Sequence, residues 1–209
     1  MHVLDALAIR ILAVLMAVGM VGGVVPFVRG RRRPRQRLDF RAEDSPPRAL
    51  QALWAATFLL PNLYPFAVAV LPSFTYGTVL NFAFPMDSVF QVLGFFLWGA
   101  GGVLVLWGGR TLGRFVVIEI GVAKDHELIT AGPYARIRHP MYSGVQCMAI
   151  GLTLVFLSDV LLAFAVLAVS LANYRARKEE RLLASKEGFG ETYRAYMART
   201  GRFLPRVGP

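Results

Sequence analysis

Three features of the chain predict an all-α integral membrane protein with about five transmembrane helices. Hydrophobic residues fill 56% of its 209 positions, where soluble domains hold about 45–50%. That excess is gathered into blocks at 4–28, 50–71, 88–107, 141–157 and 160–174. The net charge of +10 is just as unevenly placed: eight arginines fall between Arg29 and Arg48, five Lys or Arg between Arg110 and Arg138, and nine from Arg175 onward. Five spans put all of these on one side and leave Asp5, Asp87 and Asp159 on the other; an even number of spans scatters them. Basic loops stay cytoplasmic, so the N-terminus is expected outside and the C-terminus in the cytoplasm. The one other basic residue, Arg10, lies within the first block and is expected to snorkel outward.

The first block is too long for a signal peptide, lacks a small-residue cleavage site and is followed by arginines, so it reads as a span. "RGRRRPRQR" after it is a topology anchor suited to anionic lipid headgroups. In the second block Pro61 and Pro65 predict a kink or break. Gly19 and Gly23, and "GAGG" at 99–102, offer small surfaces for close helix packing. No strand precedes those glycines, which excludes a phosphate loop. The last two blocks are short, and only Ser158 and Asp159 part them, which predicts a tight helical hairpin.

Residues 1–109 thus read as an N-terminal region of three spans with a basic loop. Residues 110–209 read as a second region built around the hairpin 141–174. Ahead of the hairpin, "FVVIEI" reads as a short strand, "GVAKDH" as a turn and "ELITAGPY" as an extended piece ending in a turn. Pro140 suits the first turn of a helix, where its missing N–H costs nothing, and this puts His139 at the cap. The fifth span is expected to continue through "RARKEERLLASK" and to break at "GFG". "ETYRAYMA" then forms a last helix with Tyr193, Tyr196 and Met197 on one face.

Several function classes drop out. One cysteine, Cys147, excludes a disulfide framework and a cysteine-built zinc site; buried in an apolar run, it reads as packing. His2, His126 and His139 lie far apart without an HxxxH pair, so no metal is expected. The basic residues are not interleaved with aromatics, and no nucleic-acid partner is expected.

Two polar clusters carry the candidate chemistry. In "YARIRHPMYSG" the free N–H groups of a helix start attract an anion, Arg138 adds charge, and Tyr134 and Tyr142 add flat rings and hydroxyls. An interfacial anchor is the plainer reading of the same residues. In "YRARKEERLL" Arg175 and Glu179 are spaced to pair on one helix face, while Glu180 points about 100° away toward another neighbour. Antiparallel neighbours in a hairpin bring the two clusters to one membrane face. Gln146, one turn inside the fourth helix, either lines that pocket or bonds a neighbouring helix. Glu119 faces either a ligand or water.

"GPYARIRHPMYSG", "RARKEERLL" and "FGETYRAYMARTGRFLP", in that order, resemble the isoprenylcysteine carboxyl methyltransferase family, its prokaryotic members above all. The wider group includes membrane phospholipid methyltransferases. The resemblance covers 110–209; earlier residues match only as generic spans. It implies an S-adenosylmethionine-dependent methyltransferase with no Rossmann domain and a cytoplasmic cofactor pocket formed by the C-terminal half. Carried over by motif, Leu128, Gly132, Tyr134, Arg138, His139, Tyr142 and Glu180 surround the cofactor. Arg175 and Glu179 match the family's Arg-x-x-x-Glu at the reacting centre. "ASKEG" lengthens the segment before "FGETY", which bears on where Tyr193 falls.

The resemblance also implies a lipophilic acceptor entering sideways from the bilayer, first of all a prenylated cysteine carboxylate, with amine and thiol acceptors as alternatives. An amine has to shed a proton, which would make Glu179 its base. A rival of another class is the NADPH-dependent sterol-type membrane reductase. That group's signature carries an Asp with a nearby Cys and a Lys-Tyr-Gly, where this chain has Glu179–Glu180, no Cys and "GFG". Twenty arginines against three lysines point to a prokaryotic plasma membrane.

Overall fold

The computed structural model describes residues 6–30, 38–41, 47–71, 81–82, 86–116, 121–123 and 127–206. Its apolar blocks are helices: α1 (Ala6–Gly30), α2 (Arg48–Val70), α3 (Asp87–Leu112), α4 (Pro140–Phe156) and α5 (Asp159–Leu183), followed by a short α6 (Glu191–Arg199). Four stretches are long and apolar enough to cross a membrane: Ala6–Gly23, Ala49–Val70, Asp87–Phe115 and Asp159–Leu183. Helix α4, at 17 residues, rises only about 25 Å. The five expected spans are therefore five helices, one of them short.

Among the described helices, α3 and α4 pack in close backbone contact, and glycine makes this possible. Gly94 and Gly101 of α3 face Gly151 and Gly144 of the antiparallel α4. A Cβ at Gly101 would lie 2.6 Å from the Gly144 carbonyl oxygen, and one at Gly144 would lie 2.6 Å from the Gly101 oxygen. Without a hydrophobic drive between helices in lipid, such backbone approach is what van der Waals packing requires. Of "GAGG" only Gly101 serves it; Gly99 and Gly102 meet nothing within 4 Å. Against this pair pack Ile9 and Met16 of α1, Val68 of α2, Trp98 of α3 and Leu161 of α5, around Leu152, Val155 and Phe156.

Helix α2 runs through Pro61 and Pro65 without interruption, so of the kink or break expected there the break is absent. Buried Asn62 ties it to its neighbour: Trp98 Nε1 donates to Asn62 Oδ1 at 3.2 Å, and Asn62 Nδ2 donates to the Phe58 oxygen at 2.7 Å. Arg10 reaches the end of the same helix and donates from Nε to the Ala69 oxygen at 3.0 Å. Its stem does not simply lead outward, because a carbonyl at a helix end offers an acceptor nearer than solvent.

The hairpin turn is as tight as expected. Leu157 takes the left-handed conformation (φ 48°, ψ 42°) directly after α4, and α5 begins two residues on. The carbonyls this leaves open are capped from outside the hairpin. Asn81 Nδ2 donates to Phe156 and Leu157 oxygens at 3.2 and 3.3 Å, and buried Gln91 donates to the Val155 oxygen at 2.9 Å.

Beside the helices lies one two-stranded sheet, in which β1 (Leu38–Arg41) pairs antiparallel with β2 (Gly121–Ala123). Strand β2 lies where "GVAKDH" suggested a turn. Most of "FVVIEI", with Glu119, lies outside the described residues, and Phe115 belongs to a 3-10 turn, Gly113–Phe115. A pairing partner some 80 residues away leaves no mark on local alternation.

Candidate functional site

At the end of the hairpin opposite Leu157, the chain gathers three pieces around the start of α4. His139 caps the helix with Pro140 at its first position, as the "HP" pair requires. The segment after α6 returns as a strap alongside: Arg138 N donates to the Gly201 oxygen at 2.9 Å, His139 N to the Arg202 oxygen at 3.0 Å, and Gly201 N to the Arg136 oxygen at 3.1 Å. Ser143 Oγ donates to the Phe203 oxygen at 2.7 Å. The end of α5 supplies Arg175, Glu179 and Glu180.

Negative charge at this helix start comes from the protein's own carboxylates. Glu180, nearly buried, accepts from Arg138 Nε at 2.8 Å and from Arg202 Nε at 3.0–3.1 Å. Glu179 Oε2 lies 3.4 Å from His139 Nδ1, and Glu180 Oε1 lies 3.4 Å from His139 Nε2. The second contact is an ion-pair approach whose geometry makes no hydrogen bond, so Nε2 is buried without a hydrogen-bond partner. Burial pushes the imidazole pKa down, yet the two carboxylates outweigh burial and hold it above its ordinary value.

Glu179 also accepts from the Tyr142 hydroxyl and sits 3.8 Å from Arg175 Nη2, the pairing that the four-residue spacing predicts. Arg175 Nε in turn donates to Tyr142 Oη at 3.2 Å. The His139 and Tyr142 rings stack, 5.4 Å apart and 6° from parallel. Imidazole, phenol, carboxylate and guanidinium thus form one connected unit across α4 and α5.

Beside this unit opens a cavity. Tyr134, Arg138, His139, Tyr142, Glu179 and Tyr193 edge it, and Leu112, Phe115, Leu128, Ile129, Leu182, Leu183 and Phe189 make its apolar walls. Tyr193 and Tyr196 are both buried, as expected for one face of α6, and Tyr196 donates to the Tyr134 oxygen at 2.6 Å. Burial pushes the Tyr134 and Tyr193 hydroxyls well up and that of Tyr196 to about 12. All three stay protonated at neutral pH and serve as donors.

Of the residues singled out from the sequence, Leu128, Tyr134, Arg138, His139, Tyr142 and Glu179 line the cavity, whereas Gly132, Arg175 and Glu180 stand outside its lining. Gly132 opens a 3-10 turn at φ 57°, where a Cβ would meet Thr111 Oγ1 at 2.9 Å; its backbone shapes the loop that carries Tyr134. Arg175 lies behind Tyr142, and Glu180 lies behind Arg138 and His139. Arg138 directs its donors to Glu180 and to the Met197 and Thr200 oxygens, tying the strap to the helix start. Gln146 does not line the cavity, and its buried Nε2 has no partner. His126 and Glu119 lie outside the described residues.

Arg202 was missed by the sequence reading. It is one basic residue among nine in the C-terminal stretch, with no spacing that ties it to Glu180. Phe203 (6.1 Å from the His139 ring) and Trp54 (5.2 Å from the Tyr142 ring, edge-on) were missed as well. Both meet the site only through tertiary packing.

Known proteins resemble this chain. The family model "Phospholipid methyltransferase" matches residues 89–189. The rat protein-S-isoprenylcysteine O-methyltransferase is 30% identical over 160 residues, covering 72% of this chain and 55% of that protein. The cobalt-zinc-cadmium resistance protein CzcN of Cupriavidus metallidurans is 39% identical over 102 residues, 46% of this chain and 44% of that one. The solved structure of the eukaryotic intramembrane Ras methyltransferase, isoprenylcysteine carboxyl methyltransferase, shares the fold with a TM-score of 0.51. It is 22% identical, over 77% of this chain and 52% of that one. The chain spans about half the length of the curated relatives it matches.

Proposed function

Because this chain belongs to the family of membrane methyltransferases that holds the phospholipid and isoprenylcysteine carboxyl enzymes, we propose that it transfers a methyl group from S-adenosylmethionine to the carboxylate of a lipophilic acceptor. The observation that carries this reading is the linked His139–Tyr142–Glu179–Arg175 unit at the edge of an apolar, tyrosine-rich cavity. Residues 110–209 hold the whole of that unit and act as the catalytic region. The basic loops favour the cytoplasmic side of the membrane for it, and the excess of arginine over lysine favours a prokaryotic plasma membrane.

The residues present fit the cofactor. Glu179 sets a carboxylate beside the cavity for a cationic ligand, aliphatic and aromatic walls suit an adenine ring, and His139 edges the same cavity with a buried Nε2 that makes no hydrogen bond. Leu128, Gly132, Tyr134 and Tyr142 shape the same site, while Arg138 and Glu180 act on it through His139. When bound, the cofactor would supply an electrophilic methyl group on a sulfonium, with a neutral thioether as its leaving group. A carboxylate acceptor is already ionised, so the chain needs no general base. Arg175 orients the carboxylate, and Glu179 holds Arg175 and Tyr142 in place. Such positioning supplies much of the acceleration available to a displacement of this kind.

Purified protein is expected to bind labelled S-adenosylmethionine and not NADPH, and to label extracted host lipids. The label should leave as methanol on mild base treatment, as a methyl ester requires. Base-stable label would replace the carboxylate with an amine or thiol acceptor, and binding of NADPH alone would overturn methyl transfer.

A further inference from the structure

The strap that fastens the start of α4 ends in a surface the cavity does not use. Its backbone doubles back between Gly201 and Arg206. A Cβ at Gly201 would lie 1.8 Å from the Leu204 oxygen and 3.1 Å from Arg206 N, so only glycine lets the chain turn this closely. The turn leaves the Leu204 side chain bare. At 76% exposed it is the most open large apolar side chain among the described residues, yet it belongs to none of the helices long enough to cross a membrane.

Its depth follows from what the turn touches. The Phe203 oxygen accepts from Ser143 Oγ at 2.7 Å, in the first turn of apolar α4. Pro140 and Met141 of that turn are level with Gly108 of α3, where a Cβ would meet Met141 Cγ at 2.9 Å and Pro140 Cγ at 3.5 Å. Next to Gly108 stands the exposed Trp107, an aromatic of the kind that marks a membrane–water boundary. Leu204 therefore lies at that boundary, where an apolar side chain gains by entering the acyl layer.

The charge around it is of one sign. Arg136, whose oxygen accepts from Gly201 N at 3.1 Å, is exposed, as are Arg199 and Arg206. Arg206 reaches back to the Ala198 oxygen, and Arg199 lies 5.9 Å from the centroid of the Tyr196 ring, so the three border the turn. Among the described residues none of them pairs with a carboxylate, whereas Arg202 between them is taken by Glu180. A bare leucine at boundary depth, ringed by uncompensated guanidinium groups, complements an anionic lipid surface.

We propose that the turn Gly201–Arg206 is a lipid-docking surface: Leu204 enters the acyl boundary of the nearer leaflet, and Arg136, Arg199 and Arg206 bind the phosphates of anionic lipids. Docking seats the strap, and the strap carries the oxygens that hold Arg138 N, His139 N and Ser143 Oγ. Anionic lipid thus completes the edge of the cavity at His139. The docking stands apart from the methyltransferase reading above, and only its effect on cofactor affinity rests on that reading.

The test uses the full chain in nanodiscs of phosphatidylcholine, alone or mixed with phosphatidylglycerol. In a Cys147→Ala background, a nitroxide label on Leu204→Cys is expected to meet lipid-soluble oxygen more than an aqueous nickel chelate in the mixed discs. S-adenosylmethionine should bind about fivefold tighter in the mixed discs. Arg136→Gln, Arg199→Gln and Arg206→Gln together should erase that difference and leave affinity in phosphatidylcholine unchanged, while lysine at the same three positions should keep it. A label open to water in the mixed discs, equal cofactor affinity in both discs, or a lipid effect that survives the glutamine variant would each overturn the assignment. Failure of the unaltered protein to bind S-adenosylmethionine in either disc would instead strike the methyltransferase reading, and the label would then decide the docking by itself.

Discussion

Glu180 is held by more charged neighbours than any other carboxylate at the site: Arg138, Arg202 and the His139 ring all converge on it. Removing its charge leaves those groups buried against one another, so Glu180→Gln is expected to cost about 3 kcal/mol, read from unfolding in detergent. Arg202→Ala should cost only about 1 kcal/mol, because that side chain is 33% exposed and water screens its loss. The pH dependence has a definite sign. His139 has a raised pKa when folded, so its contribution is fully present below the ordinary imidazole value of about 6.5. That contribution is lost as pH climbs through the folded value. The thermal midpoint of the unliganded protein should fall across that range, and His139→Asn should remove this component. At this scale the two halves of the site were readable, because "RHPMY" and "RARKEE" carry short-range rules of capping and helix spacing. Arg202 was not, since nothing local distinguishes it from an interfacial arginine.

Among the elements, α3 and α4 show what a single methyl group decides. Gly144→Val drives atoms into the Gly101 carbonyl 2.6 Å away, and relief requires the two backbones to part, at about 3 kcal/mol. Gly102→Val, on α3, points into open space and should leave the melting temperature unchanged, which makes the two substitutions a controlled comparison across one helix pair. The helices themselves were legible because apolar runs of such length have few alternatives in lipid. Which glycines touch was not legible: "GAGG" stood out as a group, while Gly94, Gly144 and Gly151 are single glycines in apolar runs. The small sheet escaped for a related reason, because β1 and β2 are stabilised by each other and not by their own sequence.

For the whole molecule, the placement of the arginines sets the expected count and direction of the spans. The proposed orientation predicts that, in sealed right-side-out vesicles, an epitope placed before residue 6 is cut by added protease. One placed after residue 206 should be protected. The part played by α2 at the site had no such signal, since Trp54 looks like any interfacial tryptophan until the chain has folded around it.

The strap over the start of α4 also sets an order of events in time. Residues 200–203, which fasten Arg138, His139 and Ser143, are translated after all five apolar helices. Chains fold progressively from the N-terminus as they are made, so a nascent chain can have every span in the bilayer and still lack a finished site. Until residues 200–203 have emerged from the ribosome, the chain is therefore a membrane bundle with an open site, and the strap is the piece that completes it.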